Sequence, residues 1–206
     1  MNEVGCRYLI LKRMSNKIIS LKPRVKPDRI IGIDPDAVKS GFARLDVKER
    51  IVRCRTLEFP SLIEHLKREY RRADLMQQNI IVVIEGGWLN SGNWHLPTVC
   101  SKYKAAAQGR SVGMNHQTGI LIMEMCKHLG IPFEVVKPLQ KIWKGKDRKI
   151  THEELAAITG IADRTNQEER DAALLAWWYA GLPIRIEQIS TNSAKTCKDS
   201  KKSMEE

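Results

Sequence analysis

The sequence predicts an α/β domain on a mixed sheet, with three antiparallel strands first and two parallel strands after them. Two patterns carry this prediction. Short apolar segments between residues 30 and 57 are separated only by polar turns, the signature of hairpins. Beyond them, helical and strand-like patterns alternate, as parallel crossovers require. The 206 residues, 42% hydrophobic, fit one domain with polar ends better than two domains. The expected division is a basic arm over residues 1–28, a folded domain over 29–186 and a polar, disordered tail over 187–206.

Each element follows from local pattern. Ile30 to Ile33 is a buried run, Gly41 to Leu45 a second strand and Ile51 to Leu57 a third, with the polar stretch Asp46 to Arg50 as the turn between the last two. Ser61-Leu62-Ile63-Glu64 matches a capping box and predicts a helix through Leu66 and Tyr70. Ile80 to Ile84 is apolar without interruption, as in a central strand covered on both faces. A helix is expected from about Asn115 to Leu129, stopped by Gly130 and Pro132, with Phe133 to Val136 as the fifth strand. Thr151 to Glu154 caps a short helix ending near Gly160, and Asn166 to Glu169 caps the last, which runs toward Gly181 and Pro183. In that helix Glu168, Asp171, Leu174, Leu175 and Trp178 fall on one face. Burying the apolar members therefore draws Asp171 to the sheet. Glu168 is placed to reach the same site or to favour the helix N-terminus, and Glu169 to serve the cap.

Charge narrows the partners. The chain carries 35 Lys+Arg against 24 Asp+Glu, a net of +11, which favours polyanions. One part of the excess lies in residues 1–29, where Arg7, Lys12, Arg13, Lys17, Lys22, Arg24, Lys26 and Arg29 face only Glu3 and Asp28. Another surrounds Trp143, as Lys141, Lys144, Lys146, Arg148 and Lys149. A basic loop of this kind binds backbone phosphate without reading sequence. The odd number of cysteines, without a Cys-x-x-Cys pair, reads as reduced thiols in a cytosolic protein, and the histidines show no ligand spacing with them, so zinc is not expected. No apolar run approaches 18 residues and no cleavable leader is evident, so neither membrane insertion nor secretion is expected.

Three acids carry the chemistry. Asp34 closes the first strand, Glu85 closes the run Ile80 to Ile84, and Asp171 opens the last helix. Each sits at the rim of a buried element, where a carboxylate needs a cation or donors to compensate its lost hydration. Hard divalent ions such as Mg2+ are the usual partner of carboxylate oxygens. The stretch from Glu85 to the long helix, about 25 residues read as irregular, contains Gly86-Gly87-Trp88 and Trp94, then Lys102, Lys104 and Arg110. A loop that long points to function, here contact with a nucleic acid.

Ile31 to Ala43, the strand ending Val83-Ile84-Glu85, and Glu168-x-x-Asp171-Ala172-Ala173-Leu174-Leu175-Ala176 together resemble the RuvC Holliday junction resolvases, within the RNase H-like nucleases. The resemblance spans residues 30 to about 180. It implies an RNase H-like five-stranded mixed sheet with helices on both faces, and a homodimer acting on four-way DNA junctions. It also implies two Mg2+ ions per site, replaceable by Mn2+, held by Asp34, Glu85, Asp171 and, at the fourth acid position, Glu168. The expected reaction is paired phosphodiester hydrolysis leaving 5′-phosphate and 3′-hydroxyl ends. A lysine assisting catalysis is expected before the last helix, where Lys144, Lys146 and Lys149 compete and Lys149 lies nearest the capped helix. Trp88 matches an aromatic that inserts at the junction, and Arg110, Lys141, Lys144, Lys146 and Arg148 are the expected phosphate contacts. The setting implied is cytoplasmic, bacterial or phage. Two departures stand out: Asp36 occupies a position usually held by Gly, and Glu168 replaces the commoner Asp. Two alternatives share the motifs, an RNase H-like nuclease acting on RNA or RNA–DNA hybrids and a junction-binding protein without turnover.

Overall fold

The computed structural model describes residues 9–10, 21–22, 26–90 and 101–184. Its sheet contains β1 (Leu9–Ile10), β2 (Leu21–Lys22), β3 (Arg29–Asp34), β4 (Ser40–Asp46), β5 (Ile51–Leu57), β6 (Ile80–Glu85) and β7 (Phe133–Val136), in the order β1-β2-β7-β6-β3-β4-β5. β3 pairs antiparallel with β4 and β4 with β5, while β6 runs parallel to both β3 and β7. The five central strands thus have the directions expected of the RNase H-like class. Two short strands from the arm lengthen this sheet, β2 pairing antiparallel with β7 and β1 with β2. The expected tail lies outside the described residues.

Helix α1 (Phe59–Leu75) and α2 (Lys102–His128) cover one face of the sheet; α3 (His152–Thr159) and α4 (Gln167–Tyr179) belong to the other. Alternation along the strands divides the core. Ile31, Ile33, Val82 and Ile84 face α1 and α2, while Ile30, Ile81 and Val83 face the α4 side. The same parity sends Asp34 and Glu85 to the α4 side, because they follow Ile30-Gly32 and Ile81-Val83 in register. β3 and β6 are parallel, with Ile33 opposite Ile84, so both acids emerge at the same end of the sheet.

Three elements differ from expectation. Helix α1 begins at Phe59, not at a Ser61 cap: Glu58 stands at the N-cap without a side-chain bond, and Pro60 occupies the first turn, where its missing N–H is not needed. Helix α2 begins at Lys102, so Lys102, Lys104 and Arg110 are helical and the irregular stretch is shorter than expected. Ser101 caps it, its hydroxyl accepting from the Lys104 amide at 3.3 Å, and Ala105-Ala106-Ala107 supply strong helix formers. In α4 it is Trp177, 5% exposed, that is buried, while Trp178 is 41% exposed.

That last difference has a packing cause. A Cβ on Gly32 would lie 2.2 Å from the Ala172 carbonyl oxygen, and one on Gly41 2.0 Å from that of Glu168. The α4 backbone therefore rests almost directly on β3 and β4. The sheet-facing stripe is small, with Ala172 and Ala176 over Gly32 and the Glu168 backbone over Gly41. The expected caps hold: Thr151 with Glu154 and Asn166 with Glu169 form complete capping boxes, and Gly130 and Gly160 end their helices at positive φ, 66° and 72°.

Candidate active site

Three elements bring the predicted acids together. Asp34 ends β3, Glu85 ends β6, and Asp171 lies one turn into α4, which the glycine contacts press onto the sheet beside them. Burial and then the charges of Glu85 and Asp171 hold the Asp34 carboxyl well above the usual carboxylate range, with Glu168 adding to the effect and Lys149 opposing it. Burial, then Asp171, pushes Glu85 up to about 7 against the pull of Lys141 and Lys149. Neighbouring acids thus stand close enough to Asp34 and Glu85 to resist the ionisation of these two.

Lys149 is the cation bonded within the cluster. Its Nζ lies 3.1 Å from Asp171 Oδ2. Burial works against its charge, but the field and hydrogen bond of Asp171, followed by Asp34 and Glu168, outweigh it and hold its pKa above the ordinary value. A tight turn delivers this lysine: the Trp143 amide donates to Arg148 O, the Gly145 amide to Lys149 O and the Arg148 amide to Gly145 O. A Cβ at Gly145 would stand 2.4 Å from Lys149 O. Asp147 and Arg148 take positive φ, 55° and 58°, an uncommon conformation for residues with a Cβ. The turn points Lys144, Lys146 and Arg148 into solvent. Trp143, half-buried, lines a small cleft with Glu85, Lys141, Lys149 and Asp171.

Two residues not singled out in the sequence set the orientation of Asp171. Gln167 donates to Asp171 Oδ1 at 2.8 Å, and Arg170 donates to Gln167 Oε1 at 2.9 Å, to Ile150 O at 2.9 Å and to Thr165 O at 2.6 Å. The one available signal was the Gln–Asp spacing of four on a helix. Asp36 also proves constructive. Its Oδ1 accepts from the Val38 and Lys39 amides, its Oδ2 accepts from Asn115 Nδ2, and Asn115 Oδ1 accepts from the Ala37 amide. Its φ is not positive, so the turn after Asp34 does not need glycine there.

Trp88 stands in a 3-10 turn, Gly87–Leu89. Its half-buried indole packs over Gly119 of α2, where a Cβ would meet it at 2.4 Å and Pro35 at 3.2 Å, and contacts the His116 ring edge-on. It therefore fills space beside the Asp34-Pro35 turn. Arg110 is exposed on α2, distant in sequence from the basic loop. Trp94 lies outside the described residues.

The donor set, all carboxylate oxygen, suits a hard divalent cation. Among the described residues no three acidic, imidazole or thiol side chains are gathered closely enough to hold an ion, and the Asp171 oxygens are bonded to Lys149 and Gln167. Among the same residues Cys54 and Cys126 are free thiols, and no helix is long and apolar enough to cross a membrane.

No family model matches the chain, and no curated protein matches it. Solved structures do. T. thermophilus RuvC in complex with a Holliday junction substrate is 15% identical with a TM-score of 0.44, over 72% of this chain and 89% of that one. Fowlpox virus resolvase with its junction DNA is 12% identical with a TM-score of 0.35, over 74% and 97%.

Proposed function

We propose that this chain is a Mg2+-dependent, structure-selective endonuclease that resolves four-way DNA junctions by paired phosphodiester hydrolysis, acting as a homodimer. The observation that carries the reading is the gathering of Asp34, Glu85 and Asp171 from three elements into one partly desolvated cluster, in which burial and neighbouring acids raise the pKa of Asp34 and of Glu85. A purely structural acid cluster would be neutralised by its neighbours; here Lys149, with Lys141 acting on Glu85, faces four carboxylates.

In this reading Asp34, Glu85, Asp171 and Glu168 hold two Mg2+ ions, for which Mn2+ substitutes. When bound, such ions activate water and stabilise the leaving 3′ oxygen, leaving 5′-phosphate and 3′-hydroxyl ends. The protein's share is placement. Parallel pairing of β3 and β6 fixes two carboxylates at one height, and Gln167 with Arg170 fixes the third. Lys149 supplies a positive charge where an incoming phosphate would otherwise meet only acids. Its present partner, Asp171, would join the other acids in holding the ions if a phosphate took the ammonium. Lys141, Lys144, Lys146 and Arg148, with Arg110 on α2, hold flanking phosphates, and Trp88 stacks at the branch point.

The test is a nicking assay with Mg2+ on mobile and fixed four-way junctions, set against an RNA–DNA hybrid of equal length. Paired symmetrical nicks in junctions are expected, and they should vanish in Asp34→Asn, Glu85→Gln and Asp171→Asn while junction binding persists. Cleavage of the hybrid alone would turn the reading to RNA-containing substrates. Binding without nicking would make the chain a non-catalytic junction protein.

A further inference from the structure

On the opposite face of the sheet, against α1, a group of cations has no acid to answer it. Arg55 on β5 stands opposite Phe42 on β4, and both project toward α1. His65 of α1 lies edge-on to Phe42, ring centroids 5.9 Å apart at 74°, which fixes its plane. Its Nε2 then meets Arg55 Nη1 at 3.0 Å and Arg68 Nη2 at 2.5 Å. Burial, then Arg68 and Arg55, holds the imidazole pKa below its ordinary value, only partly offset by a backbone hydrogen bond with Ser61 and by Glu69. Both guanidiniums carry donors only, so Nε2 can bond either of them only as an acceptor.

One lone pair cannot satisfy two guanidiniums that carry five N–H donors each. Neither arginine has a carboxylate at ion-pair distance among the described residues: nearby Glu64 is engaged by Lys67, and Glu69 by Arg29 and Arg44. Two like charges therefore converge on one nitrogen, with most of their donors unused and both side chains exposed. A tetrahedral oxyanion answers this arrangement, since its oxygens accept from both forks at once.

We propose that Arg55, His65 and Arg68 form a second phosphoryl-binding site, on the α1 side of edge strand β5, that holds a backbone phosphate of a polynucleotide. The polynucleotide rests on the nuclease reading; free phosphate shares the chemistry. Register supports the source. Phe42 pairs with Ile33, the residue before Asp34, as well as with Arg55, so Arg55 stands two strands away from that row, about 10 Å. The two sites open on opposite faces at the same end of the sheet, so a polynucleotide held at both would wrap that end.

The test follows the His65 ring resonances by NMR in the full chain without divalent ions. One arm adds inorganic phosphate and the other a short DNA duplex. The duplex is expected to shift His65 saturably, and the shift should vanish in Arg55→Gln/Arg68→Gln without loss of thermal stability. The slope of log affinity against log salt should become shallower by about 1 per arginine removed. Arg55→Lys, which keeps the charge but not the fork, should restore the slope. A static His65 with an unchanged slope overturns the site, and a response to inorganic phosphate alone overturns its assignment to polynucleotide. Cleavage is not read, so an inactive protein whose His65 answers the duplex keeps this site and loses only the nuclease reading.

Discussion

Two charge clusters occupy opposite ends of the same strands. Where β3 begins, Arg29 reaches Asp46 at 3.0 Å and Glu69 at 3.3 Å, and Arg44 reaches the same two acids at 3.1 and 3.3 Å. Two guanidiniums meet two carboxylates in the interior, and the account closes apart from a buried Arg44 Nε without a partner. Where β3 ends, Asp34, Glu85, Asp171 and Glu168 meet Lys149. The burial is comparable and the charge is not. A fold keeps unbalanced charge out of water only at a site where something else supplies the counter-charge.

Removing one partner from the balanced end should have the largest effect on stability. Glu69→Ala would leave two buried guanidiniums to share Asp46 alone, and breaking a buried ion pair typically destabilises by about 3–5 kcal/mol. Denaturant unfolding would measure it. The same kind of truncation at the other end, Asp34→Asn, should leave the midpoint unchanged or raise it, because it relieves repulsion. If both lowered stability alike, the contrast between the two ends would be void.

Next in size is the contact that seats α4. Gly32→Ala should destabilise by about 1–3 kcal/mol through overpacking and should reduce nicking as well, since backbone meets backbone there and Asp171 must move with the helix. Gly113→Ala, where a Cβ meets nothing within 4 Å, should instead stabilise by roughly 0.5–1 kcal/mol. Equal effects at the two positions would remove the argument from close approach.

Those glycines also mark what sequence could and could not convey. The strands were legible because uninterrupted apolar runs and polar turns are local signals, and α3 and α4 because their capping boxes are. Helix α2 was legible only from Asn115, since its first half, from Lys102, is largely exposed and carries no apolar stripe; Ser101 and the three alanines were the overlooked cues. Trp177 and Trp178 exchanged roles because spacing on one helix cannot reveal that the facing strand offers glycine. The acids were readable as strand-end and helix-start residues, whereas the hold of Gln167 and Arg170 on Asp171 depends on where Ile150 and Thr165 carbonyls fall in space. Nearness to the capped helix favoured Lys149 over Lys144 and Lys146 in the sequence, while its approach to Asp171 depends on the turn at Gly145.

A smaller effect should appear in pH dependence. Glu85, with a folded value near 7 against an ordinary 4.5, favours the folded state in its protonated form, and Asp34 acts in the same sense. Their contribution is fully present below the unfolded value and is lost as pH rises through the folded one. Melting temperature without metal should therefore decline from about pH 4.5 to pH 7, more steeply than in Asp34→Asn. Mg2+ should raise it more at pH 8 than at pH 5, because only the ionised acids bind it. An increment from Mg2+ that is the same at both pH values would detach the cluster from metal.

The smallest effect belongs to Glu168. It is the weakest of the charges raising Asp34, and no hydrogen bond holds its carboxylate among the described residues, in contrast to Asp171. The neighbouring Glu169 closes the capping box, so Glu169→Ala should cost about 1 kcal/mol of stability and leave Mg2+ affinity alone. Glu168→Gln should do the reverse, leaving the unfolding midpoint in place while shifting the Mg2+ concentration needed for half-maximal nicking upward. Because its backbone rests on Gly41 while its side chain carries no structural bond, any loss of activity in Glu168→Gln reports on the carboxylate itself. Wild-type Mg2+ dependence in that variant would reduce Glu168 to a charge favouring the start of α4, and leave three acids as the whole ligand set.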